Sequence, residues 1–180
     1  MALWNIVLSG YPGSGKTTLA QRLVSDNRGF VRLNVDDLRA MYFGASEPSE
    51  KEDFVYDTLA ILRDASLESR WSVVIDSTAP SNDVRDFLLA TRIRNVTRLL
   101  VQMVVEKSVL EDRNRNRHVI GAVDTWDKVW QNPWKNMPLM KFRNNSPAEF
   151  ETSYYVLAGL LMSKVHPFRR RFFANIYPRM

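Results

Sequence analysis

The 180-residue sequence contains no cysteine and only two histidines. Disulfide bonds and thiolate metal sites are therefore excluded. No stretch approaches the roughly 18 consecutive apolar residues that a membrane-spanning helix requires. The amino-terminal residues show no basic segment leading into an apolar one with a cleavage site. We expect an intracellular, cytoplasmic protein that does not bind a membrane.

The composition is ordinary for a soluble domain except for a surplus of basic residues. Hydrophobic residues make up 45% and charged residues 25% of the sequence, and the length suits a single domain over residues 1–180. The formal net charge of +5 favours an anionic partner such as RNA or DNA. Many small basic proteins bind no nucleic acid, so the charge alone leaves that partner open.

Residues 10–17 read Gly-Tyr-Pro-Gly-Ser-Gly-Lys-Thr, which fits the phosphate-binding loop pattern G-x-x-x-x-G-K-[S/T]. An apolar run precedes the loop, and Leu19 and Leu23 recur after it at helical spacing. This strand–loop–helix frame is the context that the motif requires. Glycines let successive N–H groups point inward around an anion, and the following helix adds partial positive charge at its start. The segment therefore predicts a site for nucleotide phosphates.

Within this loop, Lys16 is predicted to reach the β- and γ-phosphates of ATP, and the Thr17 hydroxyl to join the coordination shell of Mg²⁺. The residues predicted to bind the nucleotide are Gly10, Pro12, Gly13, Ser14, Gly15, Lys16, Thr17 and Thr18.

A candidate acceptor site follows the second predicted strand, residues 30–34. Asp36 and Arg39 are three positions apart at the start of a predicted helix, so they share one face. The carboxylate can accept a hydroxyl proton, and the guanidinium can bind a phosphate in a bidentate fork. The alternative is that Asp36 only caps the helix and that Arg39 is a surface cation.

Another β-branched run ends at Asp76. A carboxylate that ends a strand beside a phosphate loop typically lies near magnesium or its waters, which predicts a metal role for Asp76. The alternative is a capping role, because another helix is predicted to begin at residues 80–83.

Arg113 and Arg117 are four positions apart in a predicted helix, so we expect them on one face. Two arginines on one face repel each other unless an anion lies between them, and a phosphoryl group in transfer is such an anion. A solvated basic face or an RNA backbone contact would use the same residues.

Strand and helix patterns alternate along the chain, which predicts an α/β protein with a parallel sheet covered by helices on both faces. The helix after residue 49 is predicted to bury Phe54, Thr58, Ile61, Leu62 and Ala65. Trp126 and Trp130 form an aromatic helix stripe, which is more typical of core than of a base-stacking platform. Residues 108–132 are predicted to form a lid, residues 132–145 a loop, and residues 146–180 a helical layer with a basic aromatic tail. That tail suits single-stranded nucleic acid and packing on the domain equally well.

With these segments in order, the chain resembles the P-loop polynucleotide 5′-kinase family, and in particular the kinase domain of phage-type polynucleotide kinases. The matching stretches are residues 10–17, 34–39, 74–78 and 110–117, within a similarity that spans about residues 3–130. The resemblance implies a P-loop kinase fold with a helical lid. It also implies ATP-dependent transfer of the γ-phosphate to the 5′-OH end of RNA or DNA, with Mg²⁺ as cofactor and a role in nucleic acid repair.

The resemblance also implies individual roles. Asp36 would be the general base and Arg39 would hold the 3′-phosphate of the acceptor. Arg113 and Arg117 would be lid arginines, with Arg117 stabilising the transferring phosphoryl group. Family members often read Asp-x-Thr-Asn at strand 3, whereas this chain has Ala79 after Thr78.

Two alternatives remain at this point. Small-molecule P-loop kinases, including sugar-nucleotide, nucleoside and toxin-type kinases, share the strand that leads into an Asp-Asp-Leu-Arg opening. A nucleotide-gated binding module without acceptor chemistry would make Asp36 and Arg39 incidental.

Overall fold

A computed structural model describes residues 2–44, 50–117 and 122–163. Their elements are, in order, β1 (Leu3–Ser9), α1 (Lys16–Asp26), β2 (Phe30–Asn34), α2 (Val35–Phe43), α3 (Glu52–Glu68), β3 (Ser72–Asp76), α4 (Asn82–Leu89), β4 (Val96–Val104), α5 (Lys107–Arg115), α6 (Ala122–Asp127), β5 (Leu139–Arg143) and α7 (Pro147–Ser163). The predicted tail beyond residue 163 and part of the predicted lid, residues 118–121, lie outside the described residues.

The five strands form one parallel sheet in the order β2-β3-β1-β4-β5. The strand that leads into the phosphate loop, β1, is therefore central. In the register of the sheet, Leu8 lies opposite Asp76, and Asn34 also pairs with Asp76. The carboxyl ends of the strands meet at one edge, which is where ligands bind in open parallel sheets.

Two buried clusters cover the two faces of this sheet. On one face α1 and α7 pack through residues such as Leu23 and Leu157, and on the other α2, α3 and α4 pack through residues such as Leu59 and Leu88. The prediction of a parallel sheet covered by helices on both faces is confirmed. Among the described residues, no helix has the combination of length and apolar character that crossing a bilayer requires.

The predicted buried face of α3 is wrong. Phe54 and Ile61 are 52% and 63% exposed, whereas Val55, Leu59 and Leu67 are buried. Arg63 occupies the buried face between them, and its guanidinium donates to Asp64 and to the carbonyls of Phe87 and Leu88 at the end of α4. An arginine in the buried stripe and apolar residues on both faces make the helical period misleading.

Two further predictions after residue 120 are wrong. Residues 139–143 form β5 rather than loop, and this edge strand buries little besides Phe142, so its charged, alternating sequence gives a weak strand signal. The helix that carries Trp126 ends at Asp127, which leaves Trp130 outside it. Trp130 is only partly buried and stacks on Tyr11 of the phosphate loop instead of joining the core.

Candidate active site

The phosphate loop joins β1 to α1 in a conformation that fits an anion. Gly13 and Gly15 adopt φ values of 79° and 91°, in the left-handed region that favours glycine. Gly15 is the N-cap of α1 and no side chain caps that helix start. The first N–H groups of a helix have no carbonyl within the helix to bind, so those of α1 are available to phosphate oxygens.

Lys16 is held at this loop by its own backbone. Its Nζ donates to the carbonyl oxygens of Gly10 and Tyr11, at 2.8 and 2.9 Å. Burial lowers the pKa of Lys16 to about 8, although the carboxylates of Asp76 and Asp36 act in the opposite direction. The lysine therefore lies within electrostatic reach of both predicted carboxylates.

Two asparagines, which sequence reasoning missed, fasten the loop from outside. Asn114 of α5 donates from Nδ2 to the Pro12 carbonyl at 3.0 Å, and Asn144, just after β5, donates from Nδ2 to the Ser14 carbonyl at 2.8 Å. The Ser14 hydroxyl is buried and has no hydrogen-bond partner in the part of the chain that the structure describes. Asn114 lies in the matching stretch 110–117, but no role was predicted for either asparagine, because each acts on a loop about 100 residues or more away along the chain.

The lid arginines are arranged differently from the prediction. Helix α5 ends at Arg115, so Arg113 and Arg117 do not share a helical face. Asparagine has low helix propensity, and Asn116 ends the helix as its C-cap. Arg113 nevertheless donates to the Gly13 carbonyl at 3.4 Å, and the charge of Arg117 contributes to lowering the pKa of Lys16. Arg113 therefore contacts the phosphate loop, and Arg117 lies within electrostatic reach of Lys16.

Asp36 lies in the first turn of α2 and is accessible. The N-cap of this helix is Asn34, whose side chain accepts from the Asp37 N–H at 2.8 Å, so Asp36 is not the cap. The Asp36 side chain is 64% exposed on its open side. Partial burial desolvates the carboxylate and raises its pKa, an effect that the nearby Arg39 partly offsets.

Arg39 is buried rather than a surface cation. Its guanidinium donates from Nε and Nη2 to both carboxylate oxygens of Glu52, at 2.8 and 2.7 Å, and from Nη1 to Oδ1 of Asp36. Glu52 was not predicted as a site residue, because its partner lies 13 positions earlier in a different helix. The arginine thus fixes the side chain of Asp36 to the start of α3.

Asp76 is 2% exposed at the end of β3. Its Oδ2 accepts from Nε and Nη2 of Arg32 at 3.1 and 2.9 Å, and from Nδ2 of Asn34 at 2.9 Å. Among the described residues, no group of three metal-ligating side chains occurs. A magnesium site here would therefore combine Thr17, exposed at the start of α1, and Asp76 with oxygens of the nucleotide.

We call Asp36, Asp37, Glu52 and Asp76, with Arg32 and Arg39, the acceptor-side cluster. Arg32 pairs with Asp37 and Asp76, and Arg39 pairs with Asp36 and Glu52. Four carboxylates and two guanidinium groups give a formal charge of −2 when all are ionised. Both cations of this cluster are already paired.

The fold and the loop geometry define a P-loop kinase fold of the α/β class. Residues 6–132 match the AAA domain family, and since this is more than half of the chain, the protein belongs to that family.

The proteins to which this chain is similar are of several kinds. An adenylate kinase from Caulobacter sp. (strain K31) is 31% identical over 122 residues, which are 59% of this chain and 64% of that protein, so the match spans less than two thirds of the relative. In a structure of the Pnkp1/Rnl/Hen1 RNA repair complex, one chain is 25% identical with a TM-score of 0.58, over 73% of this chain and 48% of that one. A gluconokinase from Sinorhizobium meliloti 1021 is 19% identical with a TM-score of 0.60, over 92% of this chain and 99% of that one, which shows the fold alone.

Proposed function

We propose that this protein is an ATP-dependent kinase whose acceptor is a hydroxyl group, and that the acceptor is the 5′-OH end of RNA or DNA. The observation that carries the proposal is the position of Asp36, an accessible carboxylate within electrostatic reach of Lys16 in the phosphate loop. A base and a phosphate-binding lysine at one edge of a parallel sheet are the two parts that phosphoryl transfer to an alcohol needs.

The mechanism is an in-line displacement. The loop N–H groups and Lys16 hold the triphosphate. Thr17 and Asp76 would hold Mg²⁺, which would neutralise charge on the phosphate oxygens. The acceptor oxygen forms a bond to the γ-phosphorus as the bond to the β–γ bridging oxygen breaks, and the acceptor proton passes to the carboxylate of Asp36. Arg113 and Arg117 stabilise the charge on the transferring phosphoryl group.

The electrostatics of the acceptor-side cluster favour an alcohol over a phosphate as acceptor. An acceptor that is itself a phosphate needs unpaired cations, since like charges a few ångströms apart repel strongly in a partly desolvated cleft. Here Arg32 and Arg39 are both bound by carboxylates. A raised pKa makes Asp36 a stronger base than an ordinary aspartate, which suits proton removal from a hydroxyl.

The polynucleotide acceptor is supported by the similarity to a chain of an RNA repair complex. The motifs at residues 10–17 and 34–39 support a kinase, but small-molecule P-loop kinases share them. The role proposed for Arg39 on an acceptor 3′-phosphate is restricted by its partners. A phosphate would reach this guanidinium by displacing Asp36 or Glu52. We therefore assign Arg39 first to orienting Asp36.

A small neutral alcohol, such as a sugar or nucleoside, is the second candidate. Five of the 25 basic residues and none of the 20 acidic residues lie in the segment 164–180. Residues 1–163 therefore contain 20 of each and have no net charge. The charge that favours a polynucleotide belongs to a segment outside the described residues, whereas the acceptor-side cluster, whose two arginines are paired, suits an uncharged acceptor.

Transfer from labelled ATP tests both candidates. The acceptors are 5′-OH oligonucleotides of RNA and DNA, the same oligonucleotides with 5′-phosphate, and a panel of sugars and nucleosides. Labelling of 5′-OH ends alone supports the polynucleotide, and labelling of sugars or nucleosides alone replaces it with the second candidate. Binding of an oligonucleotide acceptor should weaken steeply with added salt, and that of a small acceptor should change little.

The assignment of the base is tested by Asp36→Asn beside Asp37→Asn. The two acids are adjacent, and Asp37 is 67% exposed and paired with Arg32 rather than Arg39. We expect Asp36→Asn to lower kcat about 10²- to 10⁴-fold with ATP binding preserved, because only the proton acceptor is lost. Asp37→Asn should stay within a few-fold of the parent protein. Normal transfer by Asp36→Asn would show that another group is the base, or that the protein binds nucleotide without acceptor chemistry.

A further inference from the structure

Arg85 is a buried cation for which the mechanism above has no role. It is 0% exposed in α4, and burial lowers its pKa to about 10. Nε donates to the Ala79 carbonyl at 2.8 Å and to Ser9 Oγ at 3.2 Å, and Nη2 donates to the Pro80 carbonyl at 2.9 Å. Within the described ranges, no carboxylate pairs with this guanidinium.

The remaining guanidinium donors bind the chain that returns from the predicted lid. Nη1 of Arg85 donates to the Gln131 carbonyl at 2.6 Å and to Asn82 Oδ1 at 3.2 Å. Asn82 reinforces the contact, since its backbone N–H donates to Gln131 Oε1 at 2.9 Å and its Nδ2 donates to the Asn132 carbonyl at 3.0 Å. Residues 131–132 are thus fixed on the first turn of α4.

Trp130 extends this contact to the phosphate loop. The Arg85 guanidinium carbon lies 4.7 Å from the centroid of the Trp130 ring, which in turn stacks on Tyr11 at 4.6 Å with 27° between the planes. The Tyr11 carbonyl accepts from Lys16, and the Tyr11 hydroxyl donates to Asp127 Oδ1 at 2.8 Å. We call Arg85, Trp130 and Tyr11 the aromatic column.

We propose that Arg85 is a positioning residue that acts through the aromatic column to set the phosphate loop in the conformation that binds and uses ATP. The planar guanidinium suits this role, because its five donors reach neutral oxygens in several segments at once, which a lysine ammonium cannot do. Burying an unpaired charge is costly, and an apolar side chain of similar volume would avoid that cost. The inference rests on the ATP-binding part of the proposed function and not on the identity of the acceptor.

The test compares Arg85→Met with Arg63→Met, by calorimetric ATP binding and by kinetics of phosphate transfer. Both arginines are buried and donate to backbone carbonyls, but Arg63 lies on α3. Its hydrogen-bond partners among the described residues are Asp64 and the carbonyls at the end of α4. We expect Arg85→Met to weaken ATP binding about tenfold and to lower kcat by more than tenfold. Arg63→Met should lower the unfolding midpoint while both values stay within a few-fold of the parent protein. Arg85→Lys should recover only part of the loss.

Tyr11→Leu and Trp130→Leu keep the proposal testable if Arg85→Met does not fold. Each should weaken ATP binding several-fold, and Tyr11→Leu combined with Trp130→Leu should lose little more than the worse single variant, because both break one column. Unchanged ATP binding by a folded Arg85→Met variant overturns the proposal. So does a double variant of Tyr11→Leu and Trp130→Leu whose loss of ATP affinity equals the product of the two single losses. If the parent protein labels no acceptor, the proposed function fails while the ATP-binding results still decide this inference.

Discussion

Substituting alanine at three glycines separates the two reasons why the phosphate loop needs glycine, which are a left-handed backbone conformation and a lack of space for a side chain. Two of these glycines lie in the loop, and the third lies outside it. At Gly15 an added Cβ would lie 2.3 Å from Asn144 Nδ2, and φ is 91°. At Gly44 φ is 72° and no atom of the described residues lies within 4 Å of the added atom. At Gly10, where φ is not positive, the Cβ would lie 2.7 Å from Ser14 Oγ and 2.8 Å from Met103 Cβ. Gly15 therefore tests both effects together, Gly44 tests backbone strain alone, and Gly10 tests lack of space alone.

The expected magnitudes follow from these contacts. A left-handed conformation costs an L-residue about 1–2 kcal/mol. Alanine also lowers the conformational entropy of the unfolded chain, which stabilises the folded protein by about 0.4–1 kcal/mol. Gly44→Ala should then lower the free energy of unfolding by about 1 kcal/mol. Gly15→Ala adds the displacement of Asn144 from the Ser14 carbonyl, which leaves buried polar groups unpaired at about 1–3 kcal/mol, so its total should be about 2–4 kcal/mol.

Urea unfolding and calorimetric titration with ATP measure the two consequences. Gly15→Ala and Gly10→Ala should weaken ATP binding about a hundredfold, because a shift of about 1 Å moves the loop N–H groups off the phosphates. Gly44→Ala should bind ATP normally, since it lies at the end of α2 away from the loop. Equal losses of stability at Gly15 and Gly44, or normal ATP binding by Gly15→Ala, would refute the reasoning about the Asn144 contact.

Two further predictions use single residues. Burial lowers the pKa of Lys16 to about 8, so above that pH ATP must bind with uptake of a proton, and its affinity should fall by up to tenfold per pH unit between about pH 8 and 10. Calorimetry in buffers of different ionisation enthalpy measures the proton uptake, and Lys16→Met should bind ATP weakly at every pH. An ATP affinity of the parent protein that does not change with pH contradicts the assignment. Arg70 follows the C-cap of α3 with φ 67°, and there the Trp71 N–H donates to the Ser66 carbonyl at 2.9 Å, so Arg70→Gly should raise the free energy of unfolding by about 0.5–1 kcal/mol. Arg70→Ala should give no gain in urea unfolding, and an equal gain from alanine would exclude relief of backbone strain as the cause.

Local patterns predicted the elements that carry the phosphate loop and Asp36. The loop motif lies between a fully buried strand and an amphipathic helix, and Asn34 directly precedes α2, so residues close in sequence determine the structure there. These are the regions where periodicity and capping signals agree.

The parts that sequence reasoning missed depend on contacts distant in the chain. Arg63 and Arg85 occupy buried positions that hydrophobic periodicity assigns to apolar residues, and the carbonyls that satisfy them come from other elements. Glu52 was found only because α2 and α3 pack together in the structure. Periodicity reports which face of a helix is apolar, but it does not report which buried polar group will find a partner.

The asparagines that fasten the phosphate loop have a consequence for its response to solution conditions. The side-chain amides of Asn114 and Asn144 neither titrate nor carry net charge, so the hydrogen bonds that hold the Pro12 and Ser14 carbonyls are independent of pH and only weakly affected by ionic strength. Changes in pH or salt that reduce nucleotide affinity through Lys16 should therefore leave the backbone of the empty loop in place, ready to bind again when the original conditions return.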